Sequence, residues 1–452
     1  MNGFYPSENS NFKFNTALGD GKLGKLALSL ILYNEGKTIA RVIESFHYNG
    51  VPVYDMLLVG IDNKTDDNTL EEVKKYCHPD NIFFFDFNND FGGSRNIALE
   101  KLYEEKVDWI IMPDGHEILA DGSLEYIKWV VDGGVDSQGV NLISAYIEME
   151  PNEDGESELV FPRPLFLRNK KGIYFQRKVH NYLDAPAHEK AVMPEIRFEH
   201  RMPPDRQIKR KAQRKDMNIA ELEKNAESGD VRDLYYLGNT CAEASSGCGP
   251  EEKERLITKA IDCFERSIAI CNGADFDMAA QIAVNLSSIY LSRDAYKDCK
   301  RICFIGMANR WDRAELYCNL AIQAVARAKE GYEKGAKEWV ILMKQARHWF
   351  GVAADMEIPV TVYFVQRKYY TYLPYDGLMD VRNNLGDLEG SLAAAKRVLG
   401  YKPDNQIMKD NIKALEEAIA NRIGSGERDD AESKFHANMV ASGAAKNIDP
   451  FI

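Results

Sequence analysis

The sequence predicts an α/β domain built on a mostly parallel sheet, followed by an all-α array of helix pairs. Two observations carry this. Through the first two hundred residues, apolar runs of strand length alternate at short spacing with helix-periodic stretches, the signature of βαβ units. From about Gln207 the strand signals fade, and helices with small residues at close-packing positions follow one another.

The elements follow in order. Leu26–Tyr33 is a strand-length apolar run broken by Asn34-Glu35-Gly36, and Ile39, Val42, Ile43 and Phe46 then recur at i, i+3, i+4 and i+7, which predicts an amphipathic helix. A second run, Asp55–Ile61, ends in Asp62-Asn-Lys-Thr-Asp-Asp-Asn-Thr69, where Asp66 or Asp67 is placed to cap the next helix. A third, Asn81–Phe87, leads through Asp90-Phe-Gly-Gly-Ser-Arg-Asn96 into a helix carrying Ile97, Ala98 and Leu99. The fourth, Asp108–Pro113, empties into Asp114-Gly115-His116-Glu117. That turn sets an oxygen and a nitrogen ligand at the carboxyl edge of a sheet, where open α/β folds bind nucleotides and metals. A fifth strand ends near Glu148.

In the second half, Leu234–Gly238 with Ala242 pairs with Ala260–Ala269, Ala279–Tyr290 with Ala295–Met307, and Ala314–Ala328 with Trp339–Ala354. Asn383–Ala395 followed by Lys402-Pro-Asp404 is the most tetratricopeptide-like passage, and stacks of this kind expose a surface suited to extended partners or self-association. The organisation expected is an N-terminal segment 1–25, an α/β domain 26–207, a helical solenoid 208–422 and a flexible tail 423–452.

Composition narrows the class. The chain has 452 residues and a formal net charge of −13, so it exerts no general electrostatic pull on polyanions. Its one dense basic run, Lys209–Lys215, reads as a solvated helix face, with a patch for diphosphate or nucleic acid as the sharper alternative. No apolar stretch approaches the roughly 18–20 residues of a membrane span, and Met1-Asn-Gly-Phe-Tyr-Pro6 lacks a signal-peptide pattern. The eight cysteines form no C-x-x-C pair and read as buried free thiols of a reducing compartment, so the expected location is cytoplasmic.

The segments YNEGKTIARVIES, IDNKTDDNT, DFGGSRNIALEK and DWIIMPDGHEIL resemble, in order, the four motifs of family-2 glycosyltransferases with the Rossmann-like GT-A fold. The resemblance continues through Arg163–Arg168, Gly172–His180 and Ile196–His200, which are similar to a subgroup with C-terminal tetratricopeptide-like repeats that includes bacteriocin S-glycosyltransferases. It implies a nucleotide-sugar donor, with a UDP-sugar expected, and a divalent ion, Mn²⁺ or Mg²⁺. Asp62 would then accept from the nucleobase, with Asn34 and Glu35 near the nucleoside. Arg95 and Asn96, at a helix start, would suit phosphate. Each has a structural alternative: Asp62 and Glu35 as turn or helix caps, Arg95 and Asn96 as packing residues.

Two departures from the family pattern stand out. Asp114-Gly-His116 replaces D-x-D, and imidazole is a good ligand for Mn²⁺-type ions, so His116 is the leading ligand, Asp114 contacts ribose or completes the coordination, and a downstream histidine is the third, His180 with His200 as runner-up. Val179-His180-Asn181 replaces the subgroup's V-H-E, which removes a carboxylate near the acceptor. An inverting reaction needs a base, for which Glu148 is the first candidate, with Glu117 and Asp184 as alternatives. The acceptor expected is a macromolecule: a peptide or protein first, a modified DNA base or cell-surface glycan second. A non-catalytic scaffold is the third reading, and self-association through the repeats is a further expectation.

Overall fold

The computed structural model describes residues 24–149, 157, 159–202 and 204–425. The expected flexible tail lies outside the described residues from 426 onward, as does the N-terminal segment through residue 23. The described residues divide between two compact units, one within 1–147 and 163–201, the other within 148–162 and 202–452.

In the first unit the elements run β1 (Leu26–Leu32), α1 (Ile39–Glu44), a small hairpin of β2 (His47–Tyr48) and β3 (Val51–Pro52), β4 (Met56–Asp62), α2 (Thr69–Val73), β5 (Ile82–Phe85), α3 (Phe91–Leu102), β6 (Trp109–Ile111), β7 (Glu117–Leu119), α4 (Ser123–Trp129), β8 (Leu142–Glu148), β9 (Leu159–Arg168), β10 (Phe175–Gln176), β11 (Tyr182–Leu183) and β12 (Lys190–His200). The main sheet has the order β5-β4-β1-β6-β9-β8-β12-β7. Its first four strands are parallel, with Leu32 opposite Ile61, Asp62 opposite Phe85 and Leu26 opposite Trp109. β9 enters antiparallel to β6, with Ile111 opposite Phe166, and β7 pairs antiparallel with β12, so that Glu117 faces His200.

The physical reasons are those the sequence carries. β1 is buried at every position but the half-buried Ile31, as befits a strand covered on both faces. Ile39, Val42 and Ile43 form the buried stripe of α1, and Phe46 just beyond it is also buried. The side chain of Asp90 caps α3 by accepting from Gly93 N at 2.7 Å. Neither aspartate foreseen as the α2 cap takes that position, which falls to Asn68. Asp67 instead accepts from Gly36 N at 3.0 Å and so ties the β4 turn to the β1 turn. Because β5, β4, β1 and β6 are parallel, their carboxyl ends share one edge, and that edge gathers Asn34, Glu35, Asp62, Asp90 and Asp114.

The second unit is helical: α5 (Pro204–Ala226), α6 (Val231–Ser245), α7 (Pro250–Cys271), α8 (Phe276–Ser292), α9 (Tyr296–Asn309), α10 (Ala314–Gly331), α11 (Lys337–Ala354), α12 (Tyr372–Leu385), α13 (Leu388–Tyr401) and α14 (Gln406–Ser425), with a short strand β13 (Val365–Gln366) between α11 and α12. Successive helices pack as pairs, α6 on α7, α8 on α9, α10 on α11 and α12 on α13. Asp230, Asp275 and Asp387 cap their helices, and Gly386, at φ 85°, ends α12 in the left-handed conformation glycine tolerates. The cysteines are free, and all but Cys248 are buried. Among the described residues, no helix is long and apolar enough to cross a membrane. In the basic run, the side chains of residues 209–213 lie outside the described residues, and Lys215 Nζ donates to Cys248 Sγ at 2.9 Å.

Candidate nucleotide-sugar site

The turn between β6 and β7 is the centre of the site. Asp114 holds two arginines: Arg95 Nη2, from α3, donates to Oδ1 at 2.6 Å, and Arg163 Nη1, from β9, donates to Oδ2 at 2.9 Å. Arg163 reaches on with Nη2 to Glu117, a fully buried carboxylate whose Oε2 also accepts from Asp114 N at 2.8 Å. Burial acts to raise the Asp114 pKa, but Arg163, Arg95 and then His116 override it and hold the carboxyl well below its ordinary range. For Glu117 burial prevails and pushes the carboxyl up, with Arg163 opposing and Asp114 reinforcing the shift. Burial acts to lower the Arg163 pKa, but its two carboxylates reverse that and raise it.

Beneath this layer lies a second one. His116 Nδ1 faces Glu35 Oε1 at 3.3 Å with both side chains buried, and the His116 ring meets that of His200 edge-on with centroids 4.6 Å apart. Burial and then the neighbouring His116 push His200 down to about 4. Thr38 Oγ1 donates to Gly115 O at 2.7 Å, and a Cβ on Gly115 would sit 2.6 Å from Leu32 Cδ2 and 2.7 Å from Glu35 Cγ. Only glycine lets the turn lie that close to β1.

The β1 and β4 ends of this edge are ordered by neighbouring turns. Asp62 is buried at the end of β4, and its Oδ1 accepts from Lys64 N at 3.1 Å. Asn34 has φ 53°, a left-handed conformation that asparagine tolerates. Its amide donates to Asp66 Oδ1 at 2.6 Å, and its Oδ1 accepts from Asp66 N at 2.9 Å.

The structure departs from the sequence expectations at several residues. Asn96 takes the packing place that was its alternative: its amide clamps the backbone of Phe175, donating to the carbonyl at 3.0 Å and accepting from the N–H at 2.8 Å. Glu117, foreseen as a base, is buried under Arg163, so its place is to hold that arginine. Glu148 ends β8 but belongs to the second unit, where Arg367 Nη2 lies 3.3 Å from its Oε1. Asp184 is exposed. His180 is exposed with φ 46°, and its neighbour Asn181 accepts from Arg95 Nη1 at 3.5 Å. Arg163 was given no role by the sequence, although its segment was part of the resemblance.

The expected metal set is not assembled. Among the described residues, no group of three or more His, Cys, Asp or Glu stands close enough to hold an ion. Both Asp114 oxygens are engaged by guanidinium groups, and Nδ1 of His116 faces Glu35. The donor atoms of Asp114, His116 and His180 therefore do not fit a preformed divalent-ion site. What the edge offers is two arginines aligned on one carboxylate, beside a buried strand-end aspartate.

No curated protein sequence matches the chain. Among solved structures, S. aureus TarS residues 1–349 in complex with UDP-GlcNAc is 14% identical, over 68% of this chain and 93% of that one, with a TM-score of 0.34. A longer S. aureus TarS structure is 13% identical over 54% of this chain, which spans 50% of that one, with a TM-score of 0.32. Glucosyl-3-phosphoglycerate synthase from Mycobacterium tuberculosis, in complex with Mg²⁺ and UDP, is 17% identical over 27% of this chain and 44% of its own, with a TM-score of 0.22. Residues 29–174, which contain every parallel strand-end residue described above, match the family Glycosyl transferase family 2, and this stretch of the chain is a glycosyltransferase domain of that family.

Proposed function

We propose that the protein transfers a sugar from a UDP-sugar to a peptide or protein acceptor. The observation that carries the reading is the convergence of Arg95 and Arg163 on Asp114, at the same sheet edge as the buried Asp62, within the stretch that matches the family. In this reading Asp62 accepts a hydrogen bond from the nucleobase. Arg95 and Arg163, fixed by Asp114 and buttressed by Glu117, present positive charge to the diphosphate. As the bond from sugar C1 to the β-phosphate oxygen breaks, charge builds on that oxygen, and prearranged guanidinium groups stabilise it. The acceptor hydroxyl or thiol bonds to C1 and gives its proton to a carboxylate, for which Asp184, exposed in the first unit, is the proposed base.

No step is routed through a divalent ion, since the side chains do not assemble a donor set for one. Peptide acceptors are favoured over polyanionic ones by the net charge of −13. The test is a panel of nucleotide sugars, following UDP release with and without acceptor peptides. Release that is stimulated by a peptide and yields a sugar-bearing product supports the proposal. A folded protein that binds no nucleotide and turns over no donor overturns it.

A further inference from the structure

Between α11 and α12 the chain leaves α-helical form, and ahead of β13 and a 3-10 turn at Arg367–Tyr370 the residues 360–364 run across the leading helices of successive pairs, all within the second unit. Tyr363 packs its ring edge-on against Tyr235 of α6, with centroids 5.5 Å apart. Asp277 of α8 accepts from Thr361 Oγ1 at 2.8 Å and from Val362 N at 3.1 Å. Arg310, just before α10, donates to Val360 O at 3.2 Å, and Arg313, the residue that precedes α10, donates to Phe364 O at 3.3 Å. Thr361, Tyr363 and Val365 are buried while Val362 and Phe364 are exposed, so alternate side chains of this segment turn inward.

Three of these contacts address main-chain atoms: Val360 O, Val362 N and Phe364 O. Main-chain contacts of that kind are indifferent to side-chain identity, and the buried Thr361 and Tyr363 side chains add the selectivity. The anchors are themselves held in place. Arg310 Nη1 donates to Asp277 at 2.9 Å, and the fully buried Arg313 has its charge matched by Glu315 at 3.1 Å. Such a surface is organised before a ligand arrives, which lowers the ordering cost of binding. Helix pairing alone requires none of these groups to face a passing backbone.

We propose that the face made by α6, α8 and the start of α10 is a binding surface for an extended polypeptide, occupied in this structure by the chain's own residues 358–365, and that a peptide acceptor competes with this strap for it. The competition clause rests on the peptide-acceptor reading above; the binding surface does not. A tethered strap has an effective concentration on the order of mM, so a free peptide of equal intrinsic affinity binds the parent weakly.

The test uses the full chain and a fluorescent peptide copying residues 356–367. A variant with Ile358–Phe364 replaced by Gly/Ser of equal length should bind this peptide at least tenfold tighter than the parent does, and Asp277→Asn in that background should weaken it again. Equal binding to parent and variant overturns the proposal, as does no binding to a variant that keeps its helical circular dichroism and cooperative melting. So does binding that Asp277→Asn leaves unchanged. If the replaced variant does not fold, two protease sites, one between Glu357 and Ile358 and one between Gln366 and Arg367, let the protein fold first and have the strap cut free at both ends afterwards. A gain in peptide affinity on cutting supports the proposal, and an unchanged affinity overturns it. Sugar transfer is not read in this experiment, so failure of the glycosyltransferase reading would show separately in the UDP-release assay.

Discussion

Arg163 donates to Asp114 from one guanidinium nitrogen and reaches Glu117 with the other, so a single side chain from an antiparallel strand locks both acids of the β6–β7 turn. Glu117 is fully buried, and removing its cation leaves a carboxylate with no compensating charge. Arg163→Ala should therefore destabilise the protein by about 3–5 kcal/mol, the cost of breaking a buried pair from one side. Arg163→Lys keeps a charge but cannot span both acids, and should fall between parent and Ala. Urea unfolding monitored by circular dichroism measures both, and an Ala variant as stable as the parent would show that the pair carries no such weight.

Asp62 provides a test of the nucleobase contact. Calorimetry should show UDP binding to the parent and at least tenfold weaker binding to Asp62→Ala, about 1.4 kcal/mol or more. The side chain also accepts from Lys64 N, so the melting temperature must be read alongside. Unchanged affinity in a variant that melts like the parent would leave Asp62 as a turn cap only.

Much of this edge was legible in the sequence, because a parallel strand delivers its next residue to the same side every time. Asn34, Glu35, Asp62, Arg95, Asp114 and His116 all follow or face ends of the parallel series. Arg163 was not legible: it lies within β9, which enters against the direction of the series, and nothing local marks an arginine in Phe161-Pro-Arg-Pro-Leu165 as aimed at a turn 49 residues earlier. Asn96 was left between two readings for a related reason, since a helix-start amide looks the same whether it meets phosphate or the Phe175 backbone. In the second half, helix periodicity revealed the pairs, whereas the strap at 358–365 has no period that a single strand of text could separate from a loop.

His200 makes stability depend on pH. Its folded-state pKa of about 4 lies below the ordinary 6.5, because burial and His116 disfavour the charged ring. The unfolded chain therefore takes up a proton that the folded one refuses. The stabilising contribution is complete above about pH 6.5 and is lost as pH falls from there towards 4, by up to about 3 kcal/mol for this group. His200→Gln removes the titration, so the difference in unfolding free energy between parent and variant should shrink or reverse across that window. A difference that stays constant from pH 7.5 to 4.5 would contradict the assignment.

Donor binding should survive removal of divalent ions. The diphosphate needs positive charge, and among the described residues the groups that converge at this edge are Arg95 and Arg163 rather than a set of metal ligands. Excess chelator should therefore change UDP affinity by less than about threefold, whereas Arg95→Ala should weaken it at least tenfold, about 1.4 kcal/mol. Arg95 also stacks on Phe175 at 5.4 Å, so Arg95→Lys, which keeps the charge and loses the planar fork, separates the two contributions. The decisive comparison is between chelator and arginine substitution on the same isotherm. Binding that collapses in chelator and is insensitive to Arg95→Ala would mean that an ion, held with the ligand's own oxygens, provides the charge that the arginines are assigned here.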